Sequence, residues 1–314
     1  MRRLQLFEIL DQAWCPPAVR HGATDYLEAI TSRGDVYRSI QADFFRAIKD
    51  CGAERVIDLC SGGGGPWLSP GWRAALAEYA PLTVVLTDKF PSDVLSARLG
   101  VDSTLSCVNF PVDAASVPES LRGFRTIFSS FHHFPDTVAR NVLEDAVRSG
   151  DGFAMAEVTS RTSRALATIL LMPIFDWILT PRMRPFRWSR LLFTYLLPLI
   201  PLVVLWDGIV SCLRTRTPEE LLTLTSSFPQ FDWTAGYAQG GWLAPVYLIG
   251  VPKGSQMRVP QGRLSVAQDG SPGSLHNADR KVPQGRLNVR LSKLALSRFA
   301  SPLTTCAVTM DCAT

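Results

Sequence analysis

The spacing of apolar residues changes character several times along this chain. Over residues 1–50, apolar side chains such as Ile40, Phe44 and Ile48 recur at helical spacing, which predicts a helical N-terminal cap. From residue 54 to about residue 250, short β-branched or apolar runs alternate with helical stretches. This alternation is typical of a parallel, doubly wound α/β sheet. Near the end of this region, FDWTAGYAQ and APVYLIGVPK have no helix between them, which predicts an antiparallel hairpin at the sheet edge.

An unusually apolar insertion, residues 164–213, interrupts this alternation. Its two sixteen-residue runs, ALATILLMPIFDWILT and LLFTYLLPLIPLVVLW, are shorter than the roughly 18 to 20 residues expected of a membrane-spanning helix. Asp176 interrupts the first run, and Pro198 and Pro201 interrupt the second. The first interpretation is a pair of buried helices packed over the sheet. A lid over an apolar substrate and a membrane-surface or spanning segment remain as alternatives.

Composition and charge narrow the classes of partner. The chain has 314 residues, of which 46% are hydrophobic, enough for a sizeable core, and its formal net charge is +4. Beyond Gly250 there are nine basic and three acidic residues, so this part carries +6 and the rest −2. A near-neutral body argues against nucleic acid as the main partner. Residues 253–314, rich in Gly, Ser, Pro, Gln and Arg, predict a mostly disordered basic tail after a main domain over residues 51–252.

The cysteines and the N-terminus indicate a reducing compartment. The seven cysteines include no C-x-x-C pair and have no clustered histidines beside them, so we expect free thiols and no metal site. Glu8 and Asp11 interrupt what would have to be the apolar core of a signal peptide. We therefore expect a cytoplasmic protein, with membrane association through the insertion left open.

The stretch VIDLCSGGGGPW, residues 56–67, places four consecutive glycines after a predicted strand. Glycine loses more backbone freedom on folding than other residues, so such a run indicates unusual dihedral angles or a close neighbour. A strand that enters a glycine-rich turn opening a helix commonly presents main-chain N–H groups to a nucleotide-like ligand.

The spacing of Asp58, Cys60, Gly62 and Gly64, D-x-C-x-G-x-G, resembles the first motif of class I S-adenosylmethionine-dependent methyltransferases. Members of that family usually have glycine at the position of Cys60. The resemblance implies a Rossmann-like seven-stranded sheet with a terminal antiparallel hairpin, an N-terminal helical cap and a helical insertion after strand 5. It also implies S-adenosylmethionine as cofactor, with its methionine end held by Asp58, Gly62 and Gly64, and with Cys60 in the same cofactor-binding loop.

Three further residues extend the resemblance along successive strands. Asp88 ends the run VVLTD, where the family's acid binds the ribose hydroxyls, and Asp113 with Ala114 matches the loop that contacts the adenine. Ser129 would lie at the carboxyl edge of the fourth strand, beside the donor methyl group.

The run FSSFHHFPD supplies candidates for catalysis. A neutral His132 or His133 could take the proton from an oxygen or nitrogen nucleophile, since an imidazole near its reference pKa of about 6.5 is suited to that role. Glu157, which ends the fifth predicted strand, is another candidate. Methyl transfer can also proceed by positioning alone, which would leave these residues structural.

The N-terminal stretch WCPPAVRHGATDYL resembles the capping helices of small-molecule members of the family. Trp14, Asp25 and Tyr26 could therefore face the acceptor, although Trp14 and Tyr26 could equally pack in the core. The aromatic and aliphatic insertion favours a bulky, apolar small-molecule acceptor, such as a lipid, polyketide or quinone-like compound.

Two other functions stay open. Cys60-x-Gly62-x-x-Gly65 matches the dinucleotide motif G-x-G-x-x-G without its first glycine, so a nicotinamide-dependent oxidoreductase is the second hypothesis. The chain shows no evident Tyr-x-x-x-Lys pair in its support. The third hypothesis is a membrane-associated cofactor-binding protein without turnover.

Overall fold

The computed structural model describes residues 2–91, 93–99, 104–184, 186–239 and 244–254. Within these residues the chain forms one compact unit. The predicted tail lies outside the described residues, except for Lys253 and Gly254.

A single seven-stranded sheet organises the fold, in the order β3-β2-β1-β4-β5-β7-β6. The first five strands run parallel to one another, and β7 pairs antiparallel with both β5 and β6. This confirms the predicted doubly wound sheet and its terminal hairpin. The strands are β1 (Arg55–Leu59), β2 (Thr83–Leu86), β3 (Leu105–Cys107), β4 (Phe124–Phe128), β5 (Phe153–Glu157), β6 (Phe231–Tyr237) and β7 (Val246–Pro252).

Nine α-helices lie within the described residues. They are α1 (Pro17–Arg33), α2 (Arg38–Asp50), α3 (Pro70–Glu78), α4 (Asp93–Leu99), α5 (Asp136–Ser149), α6 (Ser163–Leu179), α7 (Trp188–Leu191), α8 (Leu199–Arg214) and α9 (Pro218–Thr225). Short 3₁₀ turns cover Gly65–Leu68, Phe131–His133 and Thr180–Arg182, and a π-helical turn covers Leu192–Leu196.

Two apolar cores form on this sheet because its central strands are buried on both faces, as expected of parallel strands covered by helices. One core joins α2 and α3 to the sheet through aromatic side chains, among them Phe44, Phe45 and Trp72. The other joins α5 and α9 to the sheet through Leu143, Leu221 and similar residues. Each Å² of apolar surface buried in these cores stabilises the fold by roughly 25 cal/mol. The two cores therefore hold the strands, and with them the strand ends, in place.

The insertion does not pack as the sequence analysis first expected. Instead of covering the sheet, α8 packs against α6 and α1, in a third apolar cluster that includes Tyr26, Ile200 and Val204. The remaining faces of the insertion point away from the protein. A helix that is apolar all round resembles a buried helix in sequence, so periodicity alone could not distinguish the two arrangements.

One described helical stretch, Ser163–Arg182, is long and apolar enough to cross a membrane by length and composition alone. It has a mean hydropathy of 1.4 over a window of which only 22% is buried. The helical pair Trp188–Leu196 and Leu199–Arg214 passes the same test together, but the pair is bent by 76°.

The N-terminal segment, residues 2–16, runs along α8 and is fastened to it. The backbone N–H of Leu4 donates to the carbonyl of Leu213 across 3.1 Å. The Asp207 carboxylate accepts the backbone N–H groups of Ile9 and Leu10, at 2.7 and 2.9 Å. These bonds bring Glu8 and Asp11 to His132 and His133 after β4, more than a hundred positions away in sequence.

Candidate active site

The carboxyl ends of β1 to β5 meet at one edge of the sheet, and the sequence-predicted site residues follow these strand ends. The chain winds from β1 outward to β3 and then returns to β4 on the other side of β1. Ligands of open α/β sheets bind at such a reversal, outside the carboxyl ends of the strands. The topology therefore locates the candidate site at the loops after β1 and β4.

The glycine-rich loop after β1 adopts left-handed backbone conformations at several positions. The φ angle is +56° at Cys60, +50° at Gly62, +101° at Gly64 and +53° at Gly65. A Cβ atom added to Gly64 would lie 2.6 Å from Leu68 Cδ1, whereas one added to Gly62 or Gly65 would meet nothing within 4 Å. Two of the four glycines thus border open space, as a loop that receives a ligand requires.

Cys60 occupies the position where the family usually has glycine, and it has a glycine-like conformation. A left-handed φ at a non-glycine residue costs roughly 1 to 3 kcal/mol and is concentrated at functional sites. Burial and the neighbouring carboxylates raise the pKa of its thiol to about 12, so the side chain is neutral.

Asp58 supports the loop from below. Its side chain is 1% exposed, and its two carboxylate oxygens accept hydrogen bonds from Ser61 Oγ at 2.7 Å and Thr126 Oγ1 at 2.6 Å. Burial raises its pKa to about 6, against the effect of these bonds. The sequence analysis assigned Asp58 to the methionine end of the cofactor. As placed, it instead ties the loop to β4.

Asp88 connects the end of β2 to the glycine loop. Its Oδ2 accepts the backbone N–H of Gly62 at 2.9 Å, and its Oδ1 accepts the backbone N–H of Phe90 at 2.8 Å. Phe90 is 81% exposed beside it. A carboxylate and a solvent-facing aromatic ring therefore adjoin the loop, and sequence reasoning missed the ring.

Asp113 is exposed on the loop after β3. Its Oδ1 accepts the backbone N–H of Ala115 at 2.9 Å, and its Oδ2 pairs with Lys89 Nζ at 3.1 Å. These two contacts lower its pKa, so the carboxylate is charged at neutral pH. Ala114 is buried in the apolar core on the α5 side of the sheet. Lys89 directly follows Asp88, so this ion pair joins the loop after β3, predicted to contact the adenine, to the loop after β2, predicted to bind the ribose.

Glu28, on α1, is a candidate that the sequence analysis missed. Its Oε2 lies 3.5 Å from the position that a Cβ atom of Gly63 would occupy. The helical cap therefore places a carboxylate over the glycine loop. Because α1 and β1 are separated by α2, no local sequence pattern links Glu28 to the glycines.

Ser129, directly after β4, also has a left-handed backbone, with a φ angle of +45°. Its Oγ lies 2.6 Å from the Tyr37 hydroxyl and accepts the backbone N–H of Val158 at 3.3 Å. Burial raises the pKa of Tyr37, which keeps its hydroxyl neutral. Ser129 thus joins the ends of β4 and β5 to the helical cap.

His132 is buried among acids. Its Nδ1 lies 2.7 Å from Glu157 Oε2, its backbone N–H donates to Glu157 Oε1 at 3.0 Å, and its Nε2 lies 3.5 Å from Glu8. Burial disfavours the charged imidazole, but the two glutamates outweigh it and raise the pKa to about 9. His132 is therefore protonated at neutral pH, which argues against it as a proton acceptor. Glu157 is its buried counter-ion, which argues against Glu157 as a free base.

His133 is the accessible member of the histidine pair, with a side chain 31% exposed. Its Nδ1 lies 3.2 Å from Asp11 Oδ2, while its Nε2 is 3.7 Å from Glu8, beyond hydrogen-bond distance. This hydrogen bond with His133 is the main cause of the lowered pKa of Asp11. A carboxylate on Nδ1 that leaves Nε2 to accept a proton is the arrangement that orients a histidine base.

Glu8 and Arg214 complete this ion network. Burial opposes the charge on Glu8, but the two histidines and Arg214 lower its pKa to about 2. Arg214 Nη1 donates to Glu8 Oε1 at 2.9 Å. Glu8, His132 and His133 could also each offer one metal-ligand atom, all within 4.8 Å of one another. A divalent cation there would lie against the Arg214 guanidinium, so the cluster has the character of an ion network rather than a metal centre.

The three acceptor-facing candidates of the cap have different surroundings. Tyr26 is buried in the cluster between α1 and α8, and its hydroxyl donates to the Met172 carbonyl at 2.9 Å, so it packs rather than faces a substrate. Asp25 pairs with Arg190 at 2.7 Å. Trp14 is exposed and lines an apolar groove of about 410 Å³ with α8.

No family model matches the sequence, and no curated protein matches it. The structure is similar to the plantazolicin methyltransferase BpumL in complex with S-adenosylhomocysteine, with 10% identity, a TM-score of 0.49 and coverage of 78% of this chain and 94% of that one. It is also similar to PigF with S-adenosylhomocysteine, at 15% identity and a TM-score of 0.47, over 77% and 63% of the two chains. Human N-acetylserotonin methyltransferase in complex with S-adenosylmethionine shows 15% identity and a TM-score of 0.44, over 75% and 56%.

At these identities the likeness concerns the fold alone. The observed strand order and the terminal antiparallel hairpin confirm the expected Rossmann-like seven-stranded sheet.

Proposed function

We propose that this chain is an S-adenosylmethionine-dependent methyltransferase that acts on a bulky, apolar small molecule. The single observation that carries the proposal is the hydrogen bond from the Gly62 backbone N–H to Asp88. It joins the left-handed glycine loop after β1 to a carboxylate after β2, at the sheet edge where a nucleoside would be bound.

The residues present fit this cofactor. The open space over Gly62 and Gly65 accommodates a ligand against the backbone, and a side chain at Gly62 would both intrude there and strain the loop. In the proposed complex, Asp88 accepts hydrogen bonds from the ribose hydroxyls and Phe90 stacks on the purine. Glu28 neutralises the methionine ammonium in place of the buried Asp58. Asp113 and Ala114 border the adenine.

When bound, S-adenosylmethionine supplies a methyl group on a positively charged sulfonium, a reactive electrophile. The protein's part is to hold the acceptor in line and to receive its proton. We assign proton acceptance to Nε2 of His133, with Asp11 fixing the imidazole through Nδ1. His132 and Glu157 position this group, because the His132 and His133 rings lie 4.3 Å apart.

The sheet argues against the nicotinamide hypothesis. The usual dinucleotide-binding sheet has the order 3-2-1-4-5-6 with parallel strands, whereas here an antiparallel β7 is inserted beside β5. Both hypotheses place a nucleoside at the same edge, so a binding measurement must separate them.

Isothermal titration of the full chain with S-adenosylhomocysteine and, separately, with NADH tests the proposal. We expect binding of S-adenosylhomocysteine and none of NADH, and the opposite result would favour the oxidoreductase. Incubation with labelled S-adenosylmethionine and cell extract, followed by mass spectrometry, then identifies the acceptor. Binding without any labelled product would favour the third hypothesis, a protein without turnover.

A further inference from the structure

The outward surface of the insertion is exposed and strongly apolar. Of the 24 large hydrophobic side chains that are exposed within the described residues, 15 lie between residues 170 and 206. We call this surface the insertion face. Soluble monomers rarely expose contiguous apolar patches of this kind without a binding role. Its most exposed members include Leu170, Ile174, Trp177, Trp188, Leu196 and Leu202.

The exposed charged side chains of the insertion are all basic. Residues 164–214 contain only two acids, Asp176 and Asp207, and both are buried. Arg182, Arg184 and Arg187, by contrast, are exposed in the turn between α6 and α7. Among these three, Arg187 pairs with Asp25, with 3.3 Å between Arg187 Nε and Asp25 Oδ2. Arginines beside exposed apolar side chains suit a partner that has an apolar interior and negatively charged groups at its surface.

Aromatic rings lie beside the arginines of the insertion face. Phe186 and Trp188 pack edge to face, with ring centroids 5.1 Å apart, next to the arginine turn. Trp and Tyr concentrate at membrane interfaces because their rings are apolar and their polar atoms stay hydrated. Arginine on one side with Trp, Phe and Leu on the other is the pattern of interfacial helices that lie on a membrane.

The helices are anchored in a way that favours lying on a membrane over crossing it. α8 is fastened to the N-terminal segment through Asp207, and it packs on α1 through Ile200 and Val204. Asp176, in the last turn of α6, is buried and accepts a hydrogen bond from Thr180. Since one side of the helix pair is bound to the protein, only the other side can enter lipid.

We infer that the insertion face docks this protein onto the surface of a bilayer that contains anionic phospholipids. The apolar side chains enter the acyl boundary, and the arginines of the turn pair with phosphate headgroups. The groove lined by Trp14, Leu202 and Trp206 shares residues with this face, and its volume of about 410 Å³ suits part of an acyl chain. The inference goes beyond the proposed methyl transfer and does not depend on it.

Flotation of the full chain with lipid vesicles, without S-adenosylmethionine, tests this inference. We expect flotation with phosphatidylcholine vesicles that contain about 30% phosphatidylglycerol, and little with phosphatidylcholine alone. The variant Trp188→Glu/Leu196→Glu should reduce flotation at least about tenfold, since it places charge in the acyl boundary. Arg182→Ala/Arg184→Ala should remove most of the preference for anionic lipid.

Leu222→Glu, on α9 and away from the insertion face, is the matched control and should float like the unaltered chain. Circular dichroism and the melting temperature establish that each variant is folded. Absence of flotation with both vesicle types, or equal flotation of the Trp188→Glu/Leu196→Glu variant, would overturn the inference. A dimer that this variant dissociates, in a protein that does not float, would also overturn it and assign the face to a second copy of the chain. Titration with S-adenosylhomocysteine reports separately on the proposed function.

Discussion

The backbone N–H of Gly62 donates to the carboxylate of Asp88 across 2.9 Å, so the first two strand ends of the sheet hold each other in place. We predict that Asp88→Ala weakens S-adenosylhomocysteine binding by about 1 to 3 kcal/mol, because a charge-assisted acceptor for the ribose is lost. Isothermal titration measures this loss. Asp232→Ala, on the edge strand β6, is the control and should bind normally; unchanged affinity of Asp88→Ala would remove Asp88 from the ribose site.

Glu28 contributes a charge over the glycine loop from the helical cap. We predict that Glu28→Gln weakens S-adenosylhomocysteine binding by about 1 kcal/mol or more, because the ligand's ammonium loses a charged partner. The change keeps the shape of the side chain, and circular dichroism establishes that the variant is folded. Equal affinity of the two proteins would show that another group binds the ammonium.

His133 and Asp11 are predicted to act together in proton acceptance. His133→Gln should lower kcat about 100-fold or more, while binding of S-adenosylhomocysteine stays the same. Asp11→Asn should lower kcat less and shift the pH profile, because the imidazole loses its orienting charge. Single-turnover transfer to the acceptor identified by mass spectrometry measures both effects. If His133→Gln retains full kcat, transfer depends on positioning alone.

Cys60 is predicted to destabilise the protein through its left-handed backbone. Cys60→Gly removes the strain but adds freedom to the unfolded chain, so a net gain of about 0.5 to 1 kcal/mol in the free energy of unfolding is expected. Urea denaturation measures it. Cys60→Val, with a β-branched side chain, should lose stability by a similar or larger amount. Identical midpoints for all three proteins would show that the loop relaxes without strain.

The buried pair of His132 and Glu157 is predicted to make stability depend on pH. Because the folded-state pKa of His132 is about 9, above the unfolded value of 6.5, its contribution is full below pH 6.5 and is lost as pH rises through 9. Glu8, lowered from 4.5 to about 2, contributes above pH 4.5, and this is lost as pH falls toward 2.

The free energy of unfolding should therefore fall between pH 6.5 and 9 by an amount on the order of 3 kcal/mol that His132→Gln does not show. Urea titrations across this range, on both proteins, provide the measurement. Parallel pH profiles would mean that His132 is not charged in the folded protein.

Local patterns in the sequence predicted much of the fold. Short β-branched or apolar runs between helical stretches predicted the strands, and the glycines after β1 predicted the loop, because both signals come from neighbouring residues. The positions of Asp88 and Asp113 near the loop could be predicted because parallel strands end at a common edge. The burial of Asp58 beneath the loop could not, because sequence cannot tell a carboxylate under the loop from one that faces a ligand.

The remaining features depend on contacts between distant parts of the chain. Glu8 and Asp11 meet the histidines across more than 120 positions, and Glu28 meets the glycine loop across an intervening helix. No periodicity reports such pairings. The outward orientation of the insertion was likewise hidden, although the scarcity of acids between residues 164 and 214 was visible in the sequence.

The attachment of the N-terminal segment to α8 sets an order of events during synthesis on the ribosome. Leu4, Glu8 and Ile9 bind Leu213, Arg214 and Asp207, which emerge from the ribosome about two hundred residues later. At about 5 to 20 residues per second, these partners on α8 follow roughly 10 to 40 seconds after the residues that they bind. The five parallel strands, which end at Glu157, can thus pair on the ribosome before α8 fastens the N-terminal segment, whereas β6 and β7 emerge only after α8.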